Sequence, residues 1–431
     1  MIKSVHLTNY YHKNSGGIST SYNNLLKAAA RHRREIRLIV PGETEQVEQV
    51  NEYARIYYVP AKYSPVFDKR YRIILPWQYM PDETLIRNIM IAERPDLVEV
   101  TDKYTLSMMG AMVRIGKFSQ IGRPPLVHFS CERMDDNIAS FMTKGRLGRR
   151  LARSVIGKYI LPSFDFHIAN SPYTAEEFFL ADEETAGFLK KWARKKLRAP
   201  QVDLKERVFV CPRGVNAEMF SPDRRSPEVR KQMRGLAAVP DEAVLLLYAG
   251  RISPEKNIPL LVDFMKILAL DKKHDYRLLV AGAGPREEWL RQQIKDELEG
   301  KIVLLGHLDK ELLADFYANA DVFVHPNPKE PFGIAPLEAM ASGVPVVAPD
   351  SGGILSYATD ENIWMRKPTG EQFAAAIREI VDNPEKTARK IDRALETARR
   401  NTWEASTDRL LATYDKIYED FQRRRNLFTG E

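Results

Sequence analysis

The chain has 431 residues, 44% of them hydrophobic and 29% charged, with a formal net charge of +7. At roughly 100–200 residues per domain this predicts two or three globular domains, and it excludes a disordered or collagen-like chain. Two cysteines, Cys131 and Cys211, exclude a disulfide framework and a four-cysteine zinc site, and they fit a reducing, cytoplasmic compartment.

The chain opens M-I-K-S-V-H-L-T-N-Y, which lacks the apolar stretch of a secretory signal and is expected to be a first core strand. It precedes an S-G-G loop (Ser15, Gly16, Gly17) and a helix through Tyr22 to Ala30. Further strands are expected at I-R-L-I-V before Pro41, D-L-V-E-V ending at Val100, P-L-V-H-F ending at Phe129 and F-H-I-A-N ending at Asn170. A strand then ends in Pro and Gly punctuation within residues 207–222, the expected junction. Beyond it V-L-L-L-Y-A-G, Y-R-L-L-V-A-G, K-I-V-L-L-G, D-V-F-V-H-P and V-P-V-V-A alternate with helical segments, and residues 403–427 read as one long terminal helix. Short buried strands between helices predict parallel sheets in an α/β chain, with ligands at the carboxyl ends of the strands. The expected domains are 1–212, 213–402 and a terminal helix in 403–431.

No run reaches the ~18–20 apolar residues that cross a bilayer. The charge is uneven: residues 1–200 carry a net +10 and residues 201–431 a net −3. Two basic clusters dominate, Lys144, Arg146, Arg149, Arg150 and Arg153, then Lys190, Lys191, Arg194, Lys195, Lys196 and Arg198. Around the first, Leu147, Leu151 and Val155 recur every four residues. Such a basic amphipathic helix suits an anionic membrane surface, and equally a helix packed on the protein with a solvated face. Peripheral membrane contact through 144–158 and 190–198 is the expectation. No nucleic-acid-binding module is recognisable.

Three constellations carry chemistry. E-P-F-G-I-A-P-L-E, Glu330 to Glu338, follows a strand; Gly333 permits close backbone approach and a helix begins near it. Glu338 then lies about 7–8 Å along the axis from Glu330, so two carboxylates could grip separated hydroxyls of one ligand beside amides that favour an anion. A capped, solvated helix start has the same spacing. Arg251 and Lys256, in Y-A-G-R-I-S-P-E-K-N, place two cations at a strand's carboxyl end, where they suit a diphosphate, or form a surface pair beside Glu255. Ser15, Gly16 and Gly17 let a backbone amide approach phosphate or sugar. The A-G-A-G-P turn at 281–285 reads as structural. With no D-x-D and no paired histidine motif, neither a metal site nor a cofactor is expected.

Together these motifs resemble retaining nucleotide-sugar glycosyltransferases of family 4. The specific part is Y-A-G-R-I-S-P-E-K-N with E-P-F-G-I-A-P-L-E-A-M-A-S-G-V-P-V-V-A-P-D-S-G-G. N-Y-Y-H-K-N-S-G-G-I-S-T, P-D-L-V-E-V-T-D-K-Y-T-L and C-E-R-M-D-D look most like the branch of phosphatidylinositol-mannoside mannosyltransferases and sulfolipid synthases. The resemblance implies a GT-B fold, two Rossmann-like domains facing across a cleft, with the terminal helix crossing back to the first. It implies a hexosyltransferase moving a sugar, GDP-mannose favoured and a UDP-sugar the alternative, to a lipid, lipid-linked sugar or polysaccharide, at the inner face of the membrane. Arg251 and Lys256 would hold the diphosphate, Glu338 the ribose, and Glu330 with the backbone of Phe332, Gly333 and Ile334 the hexose; Gly16 and Gly17 would serve the phosphate–sugar region. Relatives often place a histidine where Cys131 stands here; His128 is the candidate replacement, with Cys131, Glu132, Arg133 and Asp135 as acceptor-side candidates. The other readings are a sugar-nucleotide epimerase, a glycogen-synthase-like polymerase and a membrane-docked relic that binds without turnover.

Overall fold

The computed structural model describes every residue except 1, 13–15, 65–70, 142–144, 186, 237 and 431, and every remaining side chain except those of 140, 141, 188–190 and 236. Ser15 and Lys144 thus lie outside the described residues, as does the side chain of Lys190. The chain divides into two compact units, Met1–Pro212 with Ser406–Glu431, and Arg213–Ala405.

In the first unit, short apolar runs form β1 (Lys3–Leu7), β2 (Glu35–Gly42), β3 (Gln46–Asn51) and β4 (Ala54–Pro60). A separate ribbon, β5 (Lys62–Tyr63) and β6 (Arg72–Ile73), is followed by β7 (Leu97–Val100), β8 (Leu126–Ser130), β9 (Phe166–Ala169) and β10 (Val208–Val210). The main sheet runs β10-β9-β8-β7-β1-β2-β4-β3, and every pair is parallel except β3 with β4. Helices cover both faces, so Val98, Val100 and Leu126 point into one core layer while Leu97, Val127 and Phe129 point into the other.

The terminal segment does not form a single helix. One helix spans Trp403–Arg423, Arg424 leaves helical geometry at φ −117° and ψ 31°, and a short helix resumes at Arg425–Thr429. Leu410, Leu411, Tyr414, Ile417 and Phe421 recur at helical spacing and bury in the first unit's second layer. Tyr414 reaches a polar knot there: its hydroxyl donates to Glu99, which also takes hydrogen bonds from His6 Nδ1 at 3.0 Å and Tyr22 at 3.1 Å. Burial alone would raise the Glu99 carboxyl, and these partners hold it below its ordinary value.

The second unit contains β11 (Val244–Ala249), β12 (Tyr276–Ala281), β13 (Ile302–Gly306), β14 (Val322–Val324), β15 (Val346–Pro349) and β16 (Trp364–Arg366). Their order is β13-β12-β11-β14-β15-β16, all parallel. Alternation is clean along β11: Leu245 and Leu247 join one core layer, Leu246 and Tyr248 the other. Successive strands build outward from β11 through β12 to β13, then restart from β14 in the other direction. The sheet therefore reverses between β11 and β14, and the crevice beyond their carboxyl ends is where such sheets bind ligands.

Candidate active site

The loops after β11 and β14 carry the predicted cations and carboxylates. After β11 the chain passes Arg251 and a short 3-10 turn, Pro254–Lys256, and Asn257 takes a left-handed conformation at φ 53°. The Asn257 amide donates to the carbonyl of Pro326 at 2.9 Å, tying this loop to the one after β14. Gly282, in the A-G-A-G-P turn, backs the same segment. At φ 149°, a Cβ there would lie 1.9 Å from the Gly250 carbonyl oxygen, so the glycine answers a packing need.

Lys256 Nζ lies 2.7 Å from Glu330 Oε2, which also accepts from the Asn327 amide at 2.9 Å. His325 Nε2 stands 3.7 Å from the same oxygen. Burial pushes the Glu330 carboxyl up, but Lys256 and then His325 outweigh it and bring it down to about 2. Burial lowers His325 to about 4, so its ring is neutral at neutral pH.

Gly333 precedes the helix Ile334–Ala341 at φ 91°, and the Tyr357 hydroxyl donates to its carbonyl. Phe332 is buried with its ring centroid 5.2 Å from that of Tyr357, and Ile334 is partly buried. The helix start points amides toward the loop that holds Glu330, which favours an anion or a sugar oxygen. One helical turn on, Glu338 accepts from the Tyr317 hydroxyl at 3.3 Å. Burial pushes its carboxyl up to about 7, against weaker opposing pulls from Tyr317 and Lys310. Adjacent carboxylates thus differ sharply: Glu330 is held ionised by a cation, and Glu338 is poised near neutrality.

Gly333→Ala tests how tightly this corner is built. A Cβ would meet the Tyr357 hydroxyl at 2.9 Å and force a side chain into the left-handed region. A loss of about 1–3 kcal/mol is expected, read as a melting temperature several degrees lower. An unchanged melting curve would show that the corner relaxes freely.

In the first unit, Gly16 and Gly17 open the helix Gly17–His32, and a Cβ at Gly16 would meet nothing within 4 Å. At the carboxyl end of β8 the acceptor-side candidates separate. Cys131 is half-buried, with its carbonyl accepting from Asn170 at 3.1 Å. Glu132 accepts from the Tyr10 hydroxyl at 3.0 Å and from Asn137 at 2.8 Å, and burial raises its carboxyl. Arg133 and Asp135 are instead structural: they form a two-pronged pair at 3.0 and 2.9 Å, and Arg153 adds a bond to Asp135 at 2.8 Å.

His128 also departs from expectation. Its side chain is 0% exposed, in the core layer beside Phe164 and Phe178, with both ring nitrogens lacking hydrogen-bond partners. A ring enclosed this way reaches no substrate, and burial drives its pKa well below the ordinary histidine value. In the basic helix Arg153 turns inward to Asp135 and Glu184, and Gly148 and Ala152 are buried, while Leu147 and Leu151 are 74% and 57% exposed. The helix therefore packs on the protein through its small residues and Val155, and Leu147 and Leu151 face away from that contact.

The family model for glycosyl transferases group 1 matches residues 229–397, and that for the glycosyl transferase 4-like domain matches 16–181. The chain belongs to the family 4-like glycosyltransferases. This transferase is similar to a GDP-mannose-dependent alpha-(1-6)-phosphatidylinositol dimannoside mannosyltransferase of Mycobacterium tuberculosis. The two are 28% identical over 414 residues, covering 96% of each chain. It is 38% identical over 142 residues to sulfoquinovosyl transferase SQD2 of Arabidopsis thaliana, covering 33% of this chain and 26% of that one. Among solved structures, sucrose-phosphate synthase of Thermosynechococcus elongatus superposes with a TM-score of 0.71 at 20% identity, covering 97% of this chain and all 100% of that one. Anabaena HepE in complex with UDP and glucose gives 0.67 at 19% identity, covering 96% and 100%. The fold is GT-B, built from two Rossmann-like units, and the enzyme is a hexosyltransferase using a nucleotide-sugar donor.

The residues missed by sequence reasoning are His325, Asn327, Asn257, Tyr317 and Tyr357. His325, Pro326 and Asn327 lie in the H-P-N-P stretch directly after β14. Placing β14 beside β11 was the one signal that could have exposed them.

Proposed function

We propose that the transferase moves a hexose from GDP-mannose to a hydroxyl of a lipid, lipid-linked sugar or polysaccharide, with retention at the anomeric carbon. The observation that carries this is the Lys256–Glu330 pair at 2.7 Å, joining the two loops of the switch point. Arg251 and Lys256 bind the diphosphate and neutralise the charge it gains as it leaves. The acceptor hydroxyl attacks on the face the diphosphate vacates, and the departing phosphate oxygen takes its proton. Glu330, its Oε2 shared between Lys256 and Asn327, orients the hexose hydroxyls and does not act as a covalent nucleophile. Glu338 binds the ribose. Glu132 is the acceptor-side group we retain.

Mannose from GDP-mannose is supported by the activity for which the mycobacterial relative is named, a protein matched almost end to end. The UDP bound to HepE favours the alternative donor. A thermal-shift screen against GDP, UDP and ADP, each with its common sugars, separates them, since stabilisation grows as RT ln(1 + [L]/Kd). GDP and GDP-mannose are expected to raise the melting temperature most. A larger shift with UDP-glucose moves the donor to the uridine class, and no shift at millimolar nucleotide removes the transferase reading of this cleft.

No helix among the described residues is long and apolar enough to cross a membrane. We place the acceptor at the inner membrane face because Leu147, Leu151 and Tyr159 are exposed along a helix flanked by the exposed Arg146 and Arg150.

A further inference from the structure

The second basic cluster surrounds a cavity of about 340 Å³ in the first unit, lined by Arg194, Lys195, Arg198, Ala199, Gln201 and Gly430 among others. It lies by the amino ends of β8 and β9, the opposite edge of the sheet from Glu132. Its floor is tied to a buried arginine: Arg114 donates to the carbonyls of Leu197 at 2.9 Å, Arg198 and Phe428 at 2.7 Å. Beneath lie three guanidinium groups, Arg114, Arg123 and Arg207, and one fully buried carboxylate, Asp165. Asp165 binds Arg114, and it takes Arg123 two-pronged at 2.8 Å through each oxygen. Arg207 has only the carbonyls of Phe164, Asp165 and Leu161, at 2.9, 3.0 and 3.3 Å.

The acids that face this cluster do not balance it. Glu206 is engaged by Arg424 at 2.6 Å, and Asp182 acts on Arg207 only weakly. Among the described residues Arg194, Lys195 and Arg198 make no ion pair, and Arg194 donates to the carbonyl of Pro200 at 3.1 Å. Burial lowers both Arg114 and Arg207 to about 10, against the opposing charge of Asp165 and with neighbouring cations including Arg194 adding to the fall. Among the described residues no acid pairs with the cations at the pocket mouth, which stands in a net positive field, deepened by low-dielectric surroundings.

We propose that this cavity is a phosphate-binding site, distinct from the donor site, for a phosphate borne by a membrane lipid or free in solution. Trp192 favours the lipid source: its side chain is about half exposed and Lys196 Nζ sits 4.9 Å from the centre of its ring, a pairing suited to a headgroup layer. The site does not depend on which sugar nucleotide the second unit binds.

The test uses the full chain in two assays, calorimetric titration with inorganic phosphate and cosedimentation with phosphatidylcholine vesicles with or without phosphatidic acid. K195E/R198E is compared with wild type, with K256A in the donor loop and with R146E/R150E on the other basic helix. Both replaced side chains are exposed; K195Q/R198Q repeats the measurement without charge reversal. We expect K195E/R198E to weaken binding at least ~10-fold in one assay or both, with K256A retaining the vesicle binding. Loss in the vesicle assay alone assigns a lipid headgroup, and loss in the phosphate assay alone assigns a free anion. If wild type binds neither probe, or both double variants bind like wild type, the proposal is overturned. Vesicle binding that depends on R146E/R150E alone, with no phosphate isotherm, also overturns it.

Discussion

Lys256→Ala is expected to lower kcat at least ~10²-fold, the scale set by removing one preorganised charge-stabilising donor. Two effects add. The diphosphate loses a cation where its negative charge grows, which acts on the transition state more than on bound substrate. Glu330 also loses its closest partner, the ammonium at 2.7 Å, while its side chain remains only 14% exposed. The carboxyl then rises from about 2 toward its ordinary value, because burial remains and the main opposing charge is gone. At saturating donor, K256A should therefore show a fall in kcat at acid pH that wild type lacks. The double variant K256A/E330Q separates the effects: if unpairing Glu330 contributes, it is less impaired than the two single losses combined. Unchanged turnover in K256A would remove Lys256 from the mechanism.

The sequence exposed those parts of the architecture that depend on continuous burial. V-L-L-L-Y-A and Y-R-L-L-V-A are apolar along both faces, and only a central parallel strand between helix layers needs that. It hid β3, because Q-V-E-Q-V-N at the sheet edge is mostly exposed and its polar side chains, with Glu48, guard an open edge. The three-residue β16, W-M-R, is too short to carry a period. Within the site, Arg251, Lys256, Glu330 and Glu338 were legible as residue types that suit a phosphate or a sugar, on loops flanking strands. His325 was not, since a histidine at a strand's end looks the same whether it faces a carboxylate or the core. His128 shows the converse: one residue's difference in pleat sets it among Phe164 and Phe178. Arg133 and Asp135 needed the partner Arg153, distant in sequence, before their structural role could be seen. Leu147 and Leu151 were legible only as a stripe, because a helical apolar period does not record the direction it faces.

Glu338→Gln should stabilise the free enzyme at pH 8 while impairing it as a nucleotide-sugar binder. The folded carboxyl sits at about 7, against an ordinary value of 4.5, so the native state keeps a proton that the unfolded chain releases. The stability contributed by the neutral carboxyl is therefore complete below about pH 4.5. It is lost as pH rises to 7, and above that the fold carries a largely buried charge costing on the order of 3 kcal/mol. Glutamine keeps an acceptor for the Tyr317 hydroxyl and carries no charge. E338Q should then melt several degrees above wild type at pH 8 and level with it at pH 5. Donor binding runs the other way. An ionised carboxylate is the stronger acceptor for two ribose hydroxyls, so the wild-type Kd for a nucleotide sugar should weaken by up to about tenfold per pH unit below 7. The diphosphate of a nucleotide sugar is doubly esterified and does not titrate in that window, so the slope reports the protein. E338Q should bind at least ~10-fold more weakly at pH 8, with a flat profile down to pH 5.5. Glu330, already ionised throughout, contributes no slope there. If E338Q keeps the wild-type melting temperature at pH 8 and a parallel Kd profile, the ribose contact belongs to another residue.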